Sequence, residues 1–557
     1  MTYVIAQNCC NDTSCVQACP VGCIHPTPDE AGFATAEMLY IDPAACIDCA
    51  ACVDVCPVNA VYAEDELPEP FTRYAEINAA YFRANPTRHL PLRIADRPRA
   101  KDDQETLRVA IVGAGPSGFY AAEELLRTAT VPVEVSMFDR LPTPFGLVRA
   151  GVAPDHPHTK AVAGLFRWVA AHPNFHTFYN VEVGSYLSHD DLLAHHHAVV
   201  YAFGAAQSRR LGVPGEDLPG SHSATDFVGW YNGHPDFANR VFDLSGTRAV
   251  IVGNGNVALD VARILLRDVD DLATTDIAEH ALSALAESNI SDVVLLGRRD
   301  LAHAAYTTPE LLAFGALDGI DVVVDPRDLH GHLAAEDFAG RLKTEVLEDL
   351  AHNNRGGGKR LVLRFQVSPV EIVGSDRVEA VRIGSNRMVT DASGAAVAEA
   401  TGATETLATG LALRSIGYLG KGLPGLPFDE RSGTLPNVGG RVIDPMTGQT
   451  VPGMYAAGWI KRGPSGVIGT NRTDSAETVS ALLDDHEAGN LPCPTATAGD
   501  FVTLLEQRQP ARVNREHWQR IDEHELALGL SSGRPRIKLT DHNDMMRLAG
   551  LAGTSNR

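Results

Sequence analysis

Nine of the ten cysteines in this 557-residue chain fall between Cys9 and Cys56, and the remainder of the chain carries only Cys493. No other feature limits the fold as tightly. The N-terminus, MTYVIAQNCC, has neither a basic n-region nor an apolar h-region. Clustered thiols in such a chain read as metal ligands rather than as a disulfide framework. The run Cys46-x2-Cys49-x2-Cys52-x3-Cys56-Pro57 puts three closely spaced thiolates on one loop and a fourth just beyond it. Soft thiolates suit iron–sulfur clusters and zinc. Zinc sites pair their ligands as C-x2–4-C at a distance, which a dense run with two Cys-Pro ends does not reproduce.

The spacing is the bacterial iron–sulfur run in which the fourth cysteine reaches the other cluster. Upstream, Cys15-x3-Cys19-Pro20 repeats Cys52-x3-Cys56-Pro57, but Cys9 and Cys10 replace the regular spacing before it. Cross-ligation then assigns Cys46, Cys49, Cys52 and Cys19 to a [4Fe–4S] cluster, and Cys9, Cys15 and Cys56 to a [3Fe–4S] cluster. Cys10 and Cys23 stay free, or one of them completes a second [4Fe–4S]; the sequence leaves both open. Cys493 reads as an ordinary thiol.

Two glycine turns follow. Val109-Ala-Ile-Val-Gly113-Ala-Gly115-Pro-Ser-Gly118 lies between a β-rich run and a helical pattern, Tyr120–Arg127, and a second strand ends in Asp139. Glycines there permit a tight turn and close approach to a pyrophosphate, and the acid accepts from a ribose hydroxyl. Val250-Ile-Val-Gly253-Asn-Gly255-Asn-Val-Ala258 repeats the logic, but its next strand ends in Gly297-Arg298-Arg299. Paired guanidiniums bind a 2′-phosphate where an acid would repel it, which selects NADP over NAD. Arg298 comes late after Gly253, so residues 268–288 are expected to be an extra helical excursion. His195-His-His197 reads as a solvated turn rather than a metal site.

Length predicts about three or four domains. We divide the chain into 1–66, a cysteine module; 67–106, a linker holding one helical stretch, Ala75–Phe82; 107–207 and 420–557, two parts of one nucleotide-binding domain, the latter with C-terminal helices; and 208–419, a second nucleotide-binding domain. No run of about 18 apolar residues exists, so no membrane span is expected, and the net charge of −23 disfavours nucleic acid and anionic membrane. A cytoplasmic location follows. Residues 1–66 hold ten Asp or Glu and no Lys or Arg, whereas residues 71–101 hold seven Lys or Arg against Glu76 and Asp96. The acidic module is therefore expected to dock on a basic face, with the basic tether nearby.

Leu141-Pro-Thr-Pro-Phe-Gly-Leu-Val-Arg149, Gly151-Val-Ala-Pro-Asp-His156, Gly253-Asn-Gly-Asn-Val-Ala-Leu-Asp260 and Gly458-Trp-Ile-Lys-Arg-Gly-Pro-Ser-Gly466-Val-Ile-Gly-Thr470 resemble the adrenodoxin-reductase family, and most closely its mycobacterial-type NADPH–ferredoxin reductases. Residues 1–66 resemble seven-iron bacterial ferredoxins, and the whole chain resembles the fused ferredoxin/ferredoxin–NADP reductases of actinobacteria. The resemblance implies an α+β ferredoxin module followed by a two-domain α/β, glutathione-reductase-type (Rossmann-like) reductase, with the NADP domain inserted into the FAD domain. It puts FAD on Gly118, Asp139, Leu147, Val183, Trp459, Gly466, Val467 and Ile468, beside the pyrophosphate turn of Gly113 and Gly115 read above. It puts NADP(H) on Asn254, Gly255, Asn256, Val257, Arg298, Arg299, Glu310 and Gly466. Asp155 and His156 fall beside the flavin, where they are expected to manage a proton or a water chain.

The implied activity is ferredoxin–NADP(+) oxidoreduction by an iron–sulfur flavoprotein: hydride transfer between NADPH and FAD, then single electrons between FAD and the clusters. The absence of C-x-x-C near either glycine turn argues against a disulfide reductase. Implied partners are NADPH/NADP+ and a redox protein such as a cytochrome P450 or another ferredoxin. The competing reading is an electron-input subunit resembling the glutamate synthase small subunit.

Overall fold

Leu107–Val112 and Val133–Asp139 lie side by side as parallel strands, with Val109 opposite Val135 and Ile111 opposite Met137. Their near-continuous β-branched composition suits a sheet covered on both faces. The helix between them, Pro116–Thr128, starts with proline in its first turn and buries Phe119, Tyr120, Ala122 and Leu125. In this computed structural model, which describes residues 2–87, 89, 105–329, 338–352, 356, 358–391 and 396–551, the pair belongs to a seven-stranded sheet. Its order is Asn437–Val438, Arg441–Ile443, Thr450–Ala456, Ala198–Tyr201, Leu107–Val112, Val133–Asp139, Phe175–Tyr179. Thr450–Ala456 pairs in parallel with Ala198–Tyr201, so distant stretches of chain build one domain.

Between them the chain makes a six-stranded parallel sheet ordered Ser221–Ser223, Leu411–Arg414, Arg248–Val252, Asp292–Leu296, Lys359–Arg364, Ile320–Val324. An antiparallel meander, Val367–Val373, Ala380–Thr390 and Ala396–Ala408, packs Val367, Ile372, Val381 and Ile383 against the Val250, Val252, Val294 and Leu296 side of that sheet. The chain enters this domain along Gln207–Ser208 and leaves along Tyr418–Leu419, and the two crossings pair antiparallel. The expected excursion is helical, at Val269–Leu272 and Glu279–Ala286.

The cysteine module has two short antiparallel pairs, Tyr3–Ile5 with Val61–Ala63 and Ile24–His25 with Tyr40–Ile41. Here the linker reading needs correction. The expected helical stretch is a helix over Arg73–Ala84, and it belongs to the module rather than to a tether. Tyr74, Ile77 and Asn78 are buried. The Asn78 Oδ1 accepts from Ile5 N at 3.3 Å and Ile41 N at 2.9 Å, and its Nδ2 donates to the Ile5 carbonyl at 2.8 Å. One side chain thus satisfies backbone groups of two short strands that are remote from each other in sequence. Most of the basic tether, from Arg88 through Lys101, lies outside the described residues.

The module sits against both larger domains. Gly469 N donates to the Cys10 carbonyl at 2.8 Å, and Arg472 pairs with Asp12 at 3.2 Å. On the other domain, Lys343 pairs with Glu37 at 3.2 Å, and Phe338 packs edge-on to Tyr40 and Tyr81. Acid-on-base docking is therefore only part of the contact. Its centre is main chain and aromatic, and Arg73–Asp349 at 2.8 Å runs with reversed polarity.

Candidate functional site

The cysteines line two separate cavities. Cys19, Cys23, Cys46, Cys49 and Cys52 surround one, with Tyr3, Ile24, Ile41 and Ile47. Cys9, Cys10, Cys15 and Cys56 surround the other, with Ile5, Leu39, Val58 and Val61. No cysteine is disulfide-bonded. Backbone N–H groups aim at several sulfurs: Leu39 N at Cys9 (3.4 Å), Ala60 N at Cys56 (3.2 Å) and Cys23 N at Cys19 (3.4 Å). Burial pushes the Cys9 and Cys52 thiols up to about 12, and residues 1–66 contain no Lys or Arg to offset it. A bound cationic centre would stabilise the Cys9 and Cys52 thiolates, whereas Cys19 is already drawn down to about 5 by its Cys23 neighbour; a dense set of buried thiols fits iron–sulfur clusters. The cavities divide the cysteines along the lines of the cross-ligation reading, with Cys23 in one and Cys10 in the other.

At the first glycine turn, Gly113 has φ +112°, and a Cβ there would lie 2.5 Å from the Ala202 carbonyl oxygen. A Cβ on Gly118 would meet the Gly113 oxygen at 2.1 Å, which is the close helix–strand packing that motif needs. Gly115 caps the following helix with no side-chain bond to its N–H groups, leaving them for an anion. The Asp139 carboxylate accepts from Ala114 N and Leu141 N, both at 2.9 Å. Burial raises its pKa, and a ribose hydroxyl donor would relieve that cost. Phe145 N donates to the Ala114 carbonyl at 2.7 Å, which brings Gly146 against Gly115 and leaves Leu147 on a short helix, 42% exposed. Gly458, at φ +74°, leaves so little room that a Cβ would sit 2.0 Å from Ser117 Oγ. Trp459 packs on Tyr418 at 5.4 Å, and Val467 N donates to Thr470 Oγ1 at 3.1 Å. These segments, remote in sequence, make one cradle that fits a dinucleotide such as FAD. Val183 is buried in the apolar cluster that also holds Val112, next to Gly113, and Ile460, next to Trp459.

In the second domain, Gly253 has φ +119°, and its Cβ would meet the Ser415 oxygen at 2.1 Å. Gly255 likewise precedes Asn256–Leu266 with no side-chain cap. Asn254 lies beside Gly297, while Asn256 accepts from Thr307 N at 2.7 Å. Arg298 is exposed and Arg299 half-buried. Among the described residues neither has a carboxylate partner, so both guanidiniums are available to a phosphate.

Where the two domains meet, His156 and Glu310 approach to 3.9 Å. His156, Asp260 and Glu310 bring one donor atom each to within 4.8 Å of one another. A guanidinium already serves that group: Arg263, fully buried, reaches Asp155 at 2.7 Å, Asp260 at 2.6 Å and Glu310 at 3.3 Å. Burial alone would raise the Asp155 pKa, but Arg263, His156 and Arg267 outweigh it and hold the carboxyl well below the usual carboxylate range. Asp155 is therefore held toward its anionic form and ties the domains together through Arg263 and Arg267, which argues against its expected part in moving a proton. Glu310 is different, because burial raises its pKa.

The His195–His197 expectation also fails. All three rings are buried. His195 and His196 face the Asp191 and Leu192 carbonyls at 2.7 and 2.9 Å, and His197 Nδ1 accepts from Arg108 N at 3.0 Å. They terminate the helix His189–His195 instead of projecting into solvent. Sequence reasoning missed Arg263, Glu37 and Gly469. Arg263 had a signal, since a charged residue three after Asp260 interrupts an apolar helix face.

Two family models match the chain: a pyridine nucleotide-disulphide oxidoreductase over residues 107–300 and a 4Fe-4S binding domain over residues 39–62. A probable ferredoxin/ferredoxin–NADP reductase of Mycobacterium tuberculosis is 48% identical over 570 residues, covering 99% of this chain and 96% of that protein. Its Mycobacterium leprae counterpart is 47% identical, covering 99% and 98%. The solved structure of Mycobacterium tuberculosis FprA in complex with NADPH covers 80% of this chain and 100% of its own, at 47% identity and a TM-score of 0.76.

Proposed function

The chain belongs to the family of fused ferredoxin/ferredoxin–NADP reductases, and from that premise we propose how its own residues divide the work. It is an oxidoreductase that exchanges a hydride between NADPH and FAD, and single electrons with iron–sulfur centres in its own N-terminal module. The finer reading is the class that acts on iron–sulfur proteins with NADP+ as acceptor. Bound FAD supplies the conversion between a two-electron hydride and single electrons.

Everything else is positioning. Gly113, Gly115 and Gly118 admit the FAD pyrophosphate, Asp139 takes a ribose hydroxyl, and Leu147, Trp459, Gly466, Val467 and Ile468 line the rest of the cradle. Asn254 to Val257 present backbone N–H groups to NADP(H), and Arg298 and Arg299 grip its 2′-phosphate. The His156 ring and the Glu310 carboxyl face each other across the domain junction, where the nicotinamide would be received. Asp155 and Arg263 keep that junction closed. Glu310, whose pKa burial raises, is a candidate to hold or release a proton there.

Cys19, Cys46, Cys49 and Cys52 would hold a [4Fe–4S] cluster. Cys9, Cys15 and Cys56 would hold a [3Fe–4S] cluster, or a [4Fe–4S] one should Cys10 join them. Ten unpaired cysteines fit a reducing, cytoplasmic compartment, and no helix among the described residues is long and apolar enough to cross a membrane. Beyond its own module, the acceptor would be another ferredoxin or a cytochrome P450.

One observation carries the reading. The Cys9–Asp12 loop is in main-chain contact with Gly469, one residue beyond Gly466–Ile468. The module's second cavity is thus built onto the flavin cradle. Anaerobic titration with NADPH, following flavin and cluster absorbance together, tests it. Flavin bleaching followed by cluster bleaching is expected. A protein whose flavin bleaches while both clusters stay oxidised at excess NADPH would not use this path in the NADPH-oxidising direction.

A further inference from the structure

The helix Thr308–Gly315 has a cap it does not supply itself. Thr307 stands at its N-cap without a side-chain bond to the helix. Thr307 N donates to Asn256 Oδ1, and Pro309 has no N–H to satisfy. The next donor, Thr308 N, is bound at 2.7 Å by the Oε2 of Glu37, which lies in the cysteine module 271 residues away. Thr308 is buried, so this N–H has no water to fall back on. The other Glu37 oxygen faces Lys343 Nζ at 3.2 Å. Lys343 in turn donates to the Ala304 carbonyl at 3.0 Å and lies over the Tyr306 ring at 5.5 Å. Asn256 from the glycine turn and Glu37 from the module therefore grip opposite sides of Thr307–Thr308, two residues before Glu310.

A second observation points to the same place. Tyr74, on the module helix Arg73–Ala84, is 1% exposed and its hydroxyl has no hydrogen-bond partner among the described residues. Burial, with the Glu310 and Glu37 carboxylates nearby, holds that proton in place. The module thus brings a carboxylate and an unpaired phenol to the base of the junction where His156 and Glu310 meet.

We propose that Glu37 is a positioning residue for Glu310: the fused iron–sulfur module caps the helix that carries the nicotinamide-facing carboxyl, so docking of the module sets affinity for the nicotinamide nucleotide. A carboxylate acceptor at a helix N-terminus satisfies an orphan donor and complements the helix dipole. This rests on the reading of Glu310 given above. The reductase then carries its ferredoxin partly as a structural component of the NADP(H) site.

The test uses the full holoenzyme. NADP+ is titrated against the oxidised protein by the flavin difference spectrum, and kcat and KM for NADPH are measured with ferricyanide. Glu37→Ala is expected to raise the Kd for NADP+ about three- to tenfold, the worth of a lost cap, with KM following. Glu37→Gln keeps an oxygen acceptor and stays within about twofold of wild type. Arg73→Ala loosens the same interface at its exposed Asp349 pair and also stays within about twofold. Should Glu37→Ala fail to fold, Thr308→Pro removes the donor instead and is expected to show the same rise. An unchanged Kd in Glu37→Ala overturns the proposal, as does an equal rise in Arg73→Ala or in Glu37→Gln. Glu310→Gln separates the two levels. A shift there with none in Glu37→Ala removes the proposal alone; no shift in Glu310→Gln removes the Glu310 reading and the proposal with it.

Discussion

The two cysteine cavities began as near-repeats and ended in different surroundings. Each takes part of its wall from a short helix, Ser14–Ala18 or Ala51–Asp54, and each receives cysteines from a Cys-x3-Cys-Pro run. The cavity around Cys46 to Cys52 remains at the surface: Cys49 is exposed and Ile47 is 57% exposed. The cavity around Cys9, Cys10, Cys15 and Cys56 is covered by the reductase on its Cys10 side, with Cys9 and Cys56 half-buried. Cys10 and Val58 belong to the same apolar cluster as Ala114, Tyr120 and Val148. Local sequence makes a thiol-lined cage, and tertiary packing decides which cage meets water. Solvent exposure is one of the levers that set a cluster's potential, so two similar cages need not do the same work.

The comparison breaks most readily at Gly469. A Cβ there would lie 2.2–2.4 Å from Asp12 N, Cys10 O and Asn11 C. The contact is with backbone, so nothing small can move aside. Gly469→Ala is expected to cost about 3 kcal/mol of stability by overpacking. It should also make the closed cavity as open as the other. Iron release to a chelator should run in two phases in the wild type and merge toward one fast phase in the variant. Two phases unchanged in the variant would mean that the reductase does not seal the second cavity.

Arg472 tests the same seal by charge. It pairs with Asp12 at 3.2 Å and Glu123 at 3.0 Å, both largely buried. Arg472→Ala leaves two carboxylates without their cation, at a cost of about 2 kcal/mol near neutral pH. Burial already raises the Glu123 pKa, and Arg472 opposes that rise. Without Arg472 the folded-state value climbs further above the unfolded one. Protonation then favours the folded state, so the deficit is small below the ordinary glutamate pKa and grows as pH rises through the elevated one. Thermal unfolding at pH 5 and pH 7 checks the sign, which a deficit larger at pH 5 would contradict.

Smaller effects belong to the open side. Arg73→Ala removes a pair whose partners are both well exposed, worth less than about 1 kcal/mol. Ile47→Ser, on the solvent wall of the open cavity, should change stability by less than about 0.5 kcal/mol and leave flavin reduction by NADPH unaltered. A destabilisation comparable to Gly469→Ala would show that the open cavity is as structurally committed as the closed one.

Much of the site was legible before the fold was seen. The glycine turns need their residues for local reasons: φ above +100° at Gly113 and Gly253, and contacts under 3 Å that any side chain would violate. The contrast between Asp139 and Arg298–Arg299 is likewise local, since each lies at the end of the strand after its turn. Misreadings arose where a residue's meaning depended on what packs against it. His195–His197 looked like a polar turn because three histidines are polar in isolation. Asp155 looked available for proton work until a guanidinium from another domain claimed both its oxygens. The helix Arg73–Ala84 looked like part of a linker because the one polar residue that anchors it, Asn78, binds strands far away in sequence.

The division follows from the range of the forces involved. Backbone sterics, thiolate chemistry and the charge at a strand's end act over a few residues, so sequence alone determined an iron–sulfur module joined to two dinucleotide-binding domains, one of them suited to a 2′-phosphate. Desolvation and ion pairing depend on everything within several ångströms, whichever part of the chain it comes from. Only the tertiary structure could decide that one cysteine cavity packs its Cys10–Asp12 loop on Gly469, that Arg263 binds three carboxylates at the domain junction, and that a glutamate of the first module caps the helix bearing Glu310.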